Sequence, residues 1–204
     1  TAELVREFVR QGNEILKDQH PANSFVLRGF AGMPKWPKFN EVWGVNSLAI
    51  AMYPMYRGVA KVVGMTVMPP ADSMSDEIRM LEENWDAYDF FFVHIKKTDS
   101  YGEDGNFDGK VRIIEEVDAL LPRITALGPA ALIITGDHST PAKLKAHSWH
   151  PIPVLIYSPD ARPDGIPEFG ERPCMHGSLG SRFEATDLVP YALAHAQRLE
   201  KFGA

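Results

Sequence analysis

The period at which apolar and polar positions alternate changes repeatedly along the chain, and each change marks a new element. In residues 1–18, Leu4, Val5, Phe8, Val9, Ile15 and Leu16 recur near helical spacing with charged residues between them, which predicts an amphipathic helix. Residues 23–29 read as a short strand ending at Arg28 and Gly29, and the Pro- and Lys-rich residues 33–40 as a loop. A linker or domain border is expected near 30–43. Residues 45–51 form an apolar run suited to a strand, 54–65 a helix opening near Tyr56-Arg57-Gly58, and 65–70 a further short strand. An acidic helical pattern over 75–88 leads into Asp89-Phe90-Phe91-Phe92-Val93-His94-Ile95, a continuous apolar strand whose three phenylalanines belong to the core. Residues 110–127 place Ile113, Ile114, Val117, Leu120, Leu121 and Ile124 on one side of a helix.

Leu132-Ile133-Ile134 then stops at Thr135-Gly136-Asp137-His138-Ser139-Thr140-Pro141, which has the pattern of a strand buried on both faces. Residues 152–158 predict another strand, 159–180 a Pro/Gly-rich loop, and 186–202 a closing helix. Strands alternating with helices define an α/β fold with a mainly parallel sheet flanked by helices.

Composition narrows the functional classes. At 204 residues with 45% hydrophobic content, the chain suits one domain, or one with a small appendage. A net charge of −6, with no basic run, argues against nucleic acid as a partner. The single cysteine, Cys174, excludes an intrachain disulfide and suits a reducing, cytoplasmic setting. No apolar stretch approaches the roughly 18 residues needed to span a bilayer, so no membrane partner is expected. The chain starts at Thr1 inside a helical pattern, and it is expected to be a processed or truncated piece.

Open α/β sheets place their chemistry beyond the carboxyl ends of the strands. Asp137 and His138 fall at such an edge and offer an oxygen and a nitrogen ligand to zinc or manganese, and His147 follows close behind. Beyond His94, the segment Lys96-Lys97-Thr98-Asp99-Ser100-Tyr101-Gly102-Glu103-Asp104-Gly105 reads as a ligand-rich loop. There a turn or helical start can aim Asp99 and Glu103 at one cation, although Asp, Glu and Gly are also ordinary turn residues. Arg28, Arg57 and Lys61 are candidates for phosphate or carboxylate recognition, with plain surface charge as the alternative. His150 is assigned a surface or supporting role, and His94 is expected to support the loop by hydrogen bonding. Ser139 and Thr140 are read as loop-capping hydroxyls, and His176 as a turn residue.

The run His94-x-Lys96-x-x-Asp99, Asp104-Gly105, Gly109-Lys110, Thr135 to Pro141, His147-Ser148 and Pro151-x-Pro153 resembles the archaeal-type cofactor-independent phosphoglycerate mutases. That family lies within the alkaline phosphatase-like superfamily. Residues 22–29 and 56–65 also resemble family segments, so the likeness covers essentially the whole chain. It implies two divalent ions, manganese or zinc, beside a Ser/Thr nucleophile that is transiently phosphorylated, interconverting 3-phosphoglycerate and 2-phosphoglycerate. By motif, Asp99 and His147 would hold one ion and Asp137 and His138 the other; Arg28 and Arg57 stand, from their side-chain chemistry alone, as the candidates for binding substrate. Glu103 stands where the family usually has His. The likeness begins partway through the family sequence, so the chain is expected to be a C-terminal portion without the nucleophile and without half of the second metal site. Residues 1–43 would close an inserted substrate-side domain and its linker, and 44–204 would form the C-terminal part of the metal-binding domain. Alone, the chain is expected to be inactive and to self-associate or pair with a missing N-terminal part. A phosphatase or phosphodiesterase on the same scaffold, or a non-catalytic metal-binding fragment, are the alternatives.

Overall fold

The computed structural model describes residues 1–199, which divide into two compact units, Thr1–Trp36 and a larger one beginning at Pro37. In the first unit, α1 (Ala2–Leu16) forms as predicted, with Arg10 and Lys17 paired to Glu7 and Glu14 one turn back. Phe8 packs edge-on against Phe25 at 5.8 Å. The strand predicted over residues 23–29 does not form. No strand runs beside this segment among the described residues, and Val26 stays 89% exposed, so neither a ladder nor a buried face holds it extended.

The second unit is built on a parallel sheet. After α2 (Phe39–Trp43), β1 (Ser47–Ala51) is the central strand, with β2 (Thr66–Val67) on one side and β3 (Phe90–His94) on the other, all parallel. Every residue of β1 is buried, as expected for a strand covered on both faces. The helix α3 (Pro54–Val62) connects β1 to β2, with Pro54 in its first turn where no backbone donor is needed. From β2 the chain reaches β3 through α4 (Met74–Glu83), whose Ser73 cap accepts a hydrogen bond from the Asp76 N–H at 3.1 Å. Leu81 of α4 meets Leu48 and Ile50 in the core, and Trp85 stacks on Phe91 at 5.0 Å. The helix predicted over 75–88 breaks at Asn84, whose side-chain amide donates to the Met80 carbonyl at 2.8 Å, and a 3-10 turn follows.

The next two helices are α5 (Lys97–Asp104) and α6 (Phe107–Ala126), separated by Gly105 at φ 72°. Here the segment read as a loop is a helix. It has little apolar periodicity because one of its faces is a site rather than a core. Helix α6 starts a turn earlier than predicted because Asn106 caps it, accepting from the Gly109 N–H at 2.9 Å.

The strands β4 (Leu132–Ile134) and β5 (Leu155–Tyr157) pair antiparallel with each other in a separate sheet. The parallel core and its flanking helices match the predicted fold class. The burial of β4 does not match, since it is half-buried rather than covered on both faces. A looping return over 135–154 joins β4 to β5 without the crossover helix that a parallel pairing requires. The short α7 (Glu171–Cys174) interrupts the predicted Pro/Gly loop. The closing helix α8 (Leu188–His195) is shorter than expected, and positions 200–202 of that prediction lie outside the described residues. Among the described residues, no helix is long and apolar enough to cross a membrane.

Candidate metal centre

The site forms where α5 and the loop after β4 meet. Parallel β1 and β3 end on the same edge of the sheet, and β3 passes through Lys96 into α5. Asp99 in the first turn of α5 and Glu103 one turn on share a helix face. Gly102 lies between them and is buried against Thr140. A Cβ at Gly102 would sit 2.3 Å from the Thr140 carbonyl oxygen and 2.9 Å from its methyl group, so the helix and loop approach only because this side chain is missing.

The loop after β4 is folded back on itself. The Ser148 N–H donates to the Ser139 carbonyl at 2.9 Å, and the turn between them places Lys145 at φ 52°. This carries His147 over His138, with ring centroids 3.8 Å apart. One donor atom each from Asp99, His138 and His147 then lie within 4.8 Å of one another. His147 Nε2 is 3.4 Å from Asp99 Oδ1 and 3.5 Å from Glu103 Oε1. His138 Nε2 is 3.5 Å from Asp137 Oδ2, and its Nδ1 is 3.8 Å from Asp99 Oδ1. The five predicted ligands are thus gathered in one place. Of the predicted arginines, Arg28 lies on an exposed stretch of the first unit, and the Arg57 Nε on α3 is buried without a partner.

Several neighbours were unread in the sequence or given another role there, Thr140 among them as a loop-capping hydroxyl. The Tyr56 hydroxyl, on α3, donates to Asp137 Oδ2, while its ring stacks on His94 at 3.8 Å. His94 therefore supports the site by stacking, not by the expected hydrogen bond, for its buried Nδ1 has no partner. Lys96 pairs with Asp99 Oδ2 and lies 4.8 Å over the Tyr53 ring. The Thr140 hydroxyl donates to Asp99 Oδ1 at 2.5 Å and contacts His138 Nδ1 at 3.0 Å. Lys110 of α6 donates to the Thr140 carbonyl at 2.8 Å. Ser139 behaves as a capping hydroxyl, donating to the His150 carbonyl at 3.2 Å, and His150 itself stacks on exposed Trp149. The signal that was available for Thr140 and Gly102 is their position inside the two ligand-bearing motifs.

Both key carboxylates are held ionised. Burial pushes Asp99 up, but the Lys96 and Thr140 hydrogen bonds outweigh it and leave its pKa below the usual value. For Asp137, burial is likewise outweighed, mainly by the Tyr56 hydrogen bond, so it too ends below the usual value. Tyr56 is correspondingly raised, by burial first and then by Asp137. Burial lowers both His94 and Lys110. Ionised carboxylates beside imidazoles form a mixed oxygen and nitrogen donor set fitted to a divalent ion of borderline hardness.

A carboxylate and imidazole cluster gathered beyond the carboxyl ends of strands in an α/β fold is an arrangement that metal-dependent enzymes use. Residues 13–194 match the Metalloenzyme superfamily, and the chain belongs to it. It is 52% identical over its full length to a protein of Thermotoga sp. (strain RQ2) named as a probable 2,3-bisphosphoglycerate-independent phosphoglycerate mutase. A protein of the same name from Thermus thermophilus is 50% identical, again over the whole chain. The chain spans 51% of the length of each. Among solved structures, the PH0037 protein from Pyrococcus horikoshii superposes with a TM-score of 0.85 at 33% identity, covering all of this chain and 59% of that one. A cofactor-independent phosphoglycerate mutase from Thermoplasma acidophilum matches with a TM-score of 0.66 over 96% of this chain and 51% of its own. At 20% identity, this last likeness speaks for the fold alone.

Proposed function

We propose that this chain supplies the metal-ligand portion of a cofactor-independent phosphoglycerate mutase that interconverts 3-phosphoglycerate and 2-phosphoglycerate. The observation that carries the reading is the convergence of Asp99, His138 and His147 within 4.8 Å, joined by Asp137 and Glu103. In this reading Asp99, Glu103 and His147 hold one divalent ion, and Asp137 and His138 hold its neighbour. When bound, such a pair of ions neutralises a transferring phosphoryl group and holds attacking and leaving oxygens in line. The phosphoryl group passes from one glycerate hydroxyl to a Ser or Thr oxygen of the enzyme, then to the other hydroxyl.

We place that nucleophile outside these residues. The Ser and Thr hydroxyls of the loop after β4 are already engaged: Ser139 is 7% exposed and donates to the His150 carbonyl, while Thr140 is 3% exposed and donates to Asp99. Arg57, with its unpartnered buried Nε, and Arg28 are assigned to the substrate's anionic groups. Three carboxylates to two imidazoles form a harder donor set than one with His at 103, which favours manganese over zinc. A glycolytic, cytoplasmic setting goes with this reading.

Titration calorimetry of the chain with Mn²⁺ is expected to show saturable binding that is lost in Asp99→Asn, and the full-length parent is expected to bind a second ion that is lost in Asp137→Asn. Absence of saturable binding would refute the metal assignment. In the full-length parent, isomerised product without stoichiometric free phosphate is expected, and release of phosphate alone would indicate a phosphatase instead.

A further inference from the structure

His138 presents two ring nitrogens to two different neighbours, and a metal ligand needs its lone pair on the correct one. Thr140 settles which nitrogen is free. Its hydroxyl has a single proton, and that proton goes to Asp99 Oδ1 at 2.5 Å, since a carboxylate oxygen can only accept. The hydroxyl oxygen, 3.0 Å from His138 Nδ1, is left as an acceptor, so Nδ1 must carry the ring proton. The lone pair then falls on Nε2, the nitrogen that lies 3.5 Å from Asp137 Oδ2.

We propose that Thr140 is the positioning residue of the metal centre: it fixes His138 in the Nδ1–H form, pointing Nε2 to the Asp137 side, and ties that side to Asp99 through one hydroxyl. Every part of Thr140 is gripped for this task. Its carbonyl accepts from Lys110 Nζ at 2.8 Å, and its methyl group rests against Gly102, where a Cβ would come within 2.9 Å. At 3% exposure, water does not compete for the hydroxyl. The relay runs from His138 Nδ1–H to Thr140 Oγ1 and from Thr140 O–H to Asp99 Oδ1. It therefore links a ligand assigned to each ion, which also explains why Asp99 approaches His138 without ligating on the same side. Outer partners of this kind set both the tautomer and the basicity of a ligating imidazole.

The inference rests on the metal reading above, and its test separates the two. In ¹⁵N-histidine NMR of the metal-free chain at pH 8, the His138 resonance, identified by its loss in His138→Asn, is expected to report the Nδ1–H tautomer. A predominant Nε2–H tautomer overturns the proposal with no variant needed. Thr140→Val keeps the shape and removes the hydroxyl, so it is expected to lose the tautomer preference and to weaken Co²⁺ binding, read by visible absorbance, by about tenfold or more. Thr140→Ser restores the hydroxyl and is expected to rescue both. Unchanged tautomer and affinity in the valine variant, or equal losses in the valine and serine variants, would make Thr140 a packing residue only and overturn the proposal. If the unaltered chain binds no Co²⁺, the metal reading fails, while the tautomer still decides the role of Thr140.

Discussion

Glu77 is the least comfortable side chain in the fold, and its discomfort can be measured. It lies on α4 at 1% exposure, and neither carboxylate oxygen has a hydrogen-bond partner. Burial raises its pKa from 4.5 to about 7, opposed only by the positive charge of Lys97. A folded-state pKa above the unfolded one means that the folded chain binds the proton more tightly. The corresponding stability is fully present below the unfolded value of 4.5 and is lost as pH rises through the folded value of about 7. At roughly 1.36 kcal/mol per unit, the shift corresponds to a loss of about 3 kcal/mol by pH 8. Glu77→Met has a similar length and no polar atom to satisfy, so it is expected to be more stable than the parent at pH 8 by up to about 3 kcal/mol, and by much less at pH 4. Glu77→Gln should gain less, because its amide needs partners that the site does not offer. Urea unfolding of the three proteins across this range checks the argument. A methionine variant that is destabilised at pH 8, or whose advantage does not change with pH, would refute it.

Two further substitutions probe the scaffold around the centre. Gly102→Ala forces a Cβ to 2.3 Å from the Thr140 carbonyl, so about 1–3 kcal/mol of stability is expected to be lost, with weaker Mn²⁺ binding in the same variant; unchanged thermal unfolding and affinity would show that helix and loop are not in contact. Ser73→Ala removes the cap of α4 and is expected to cost about 1 kcal/mol in chemical denaturation with Mn²⁺ affinity unchanged, since among the described residues the Ser73 side chain bonds only to Asp76 in its own first turn.

Legibility in the sequence followed burial. Strand β1 and helices α1, α3 and α6 declare themselves because one face or both are apolar, and the period of that face is the signal. Helix α5 does not, because Asp99 and Glu103 are polar positions facing His147 and Gly102 allows close approach to Thr140, so it read as a loop. The residues 23–29 mislead in the other direction, since Phe25, Val26 and Leu27 have strand propensity but no strand beside them to pair with. Similarly, Leu132-Ile133-Ile134 shows that a strand forms, whereas its antiparallel partner is decided by the return path to residue 155. At the site, the residues that converge were readable from Asp137-His138 and Asp99, because their types and spacing are those a metal site would need. The Tyr56 hydroxyl was not, being 81 positions from the carboxylate it serves.

That separation has a structural reason. Backbone hydrogen bonds join β3 to β1, and β4 to β5, but none among the described strands joins the sheet of β3 to that of β4. The proposed ligands nevertheless come from both sides of this divide, Asp99 and Glu103 following β3 and Asp137, His138 and His147 following β4. What holds them in register is side-chain chemistry: Tyr56 to Asp137, Thr140 to Asp99 and Lys110 to the Thr140 carbonyl. Each of these bonds ends on a ligand or on Thr140, so any ion shared across the divide acts on the same groups that align the two sheets. On the proposed metal reading, metal affinity and the packing of α5 against the β4 loop are one equilibrium, and substitutions at Thr140 or Gly102 should move both together, whereas Ser73→Ala should move stability alone.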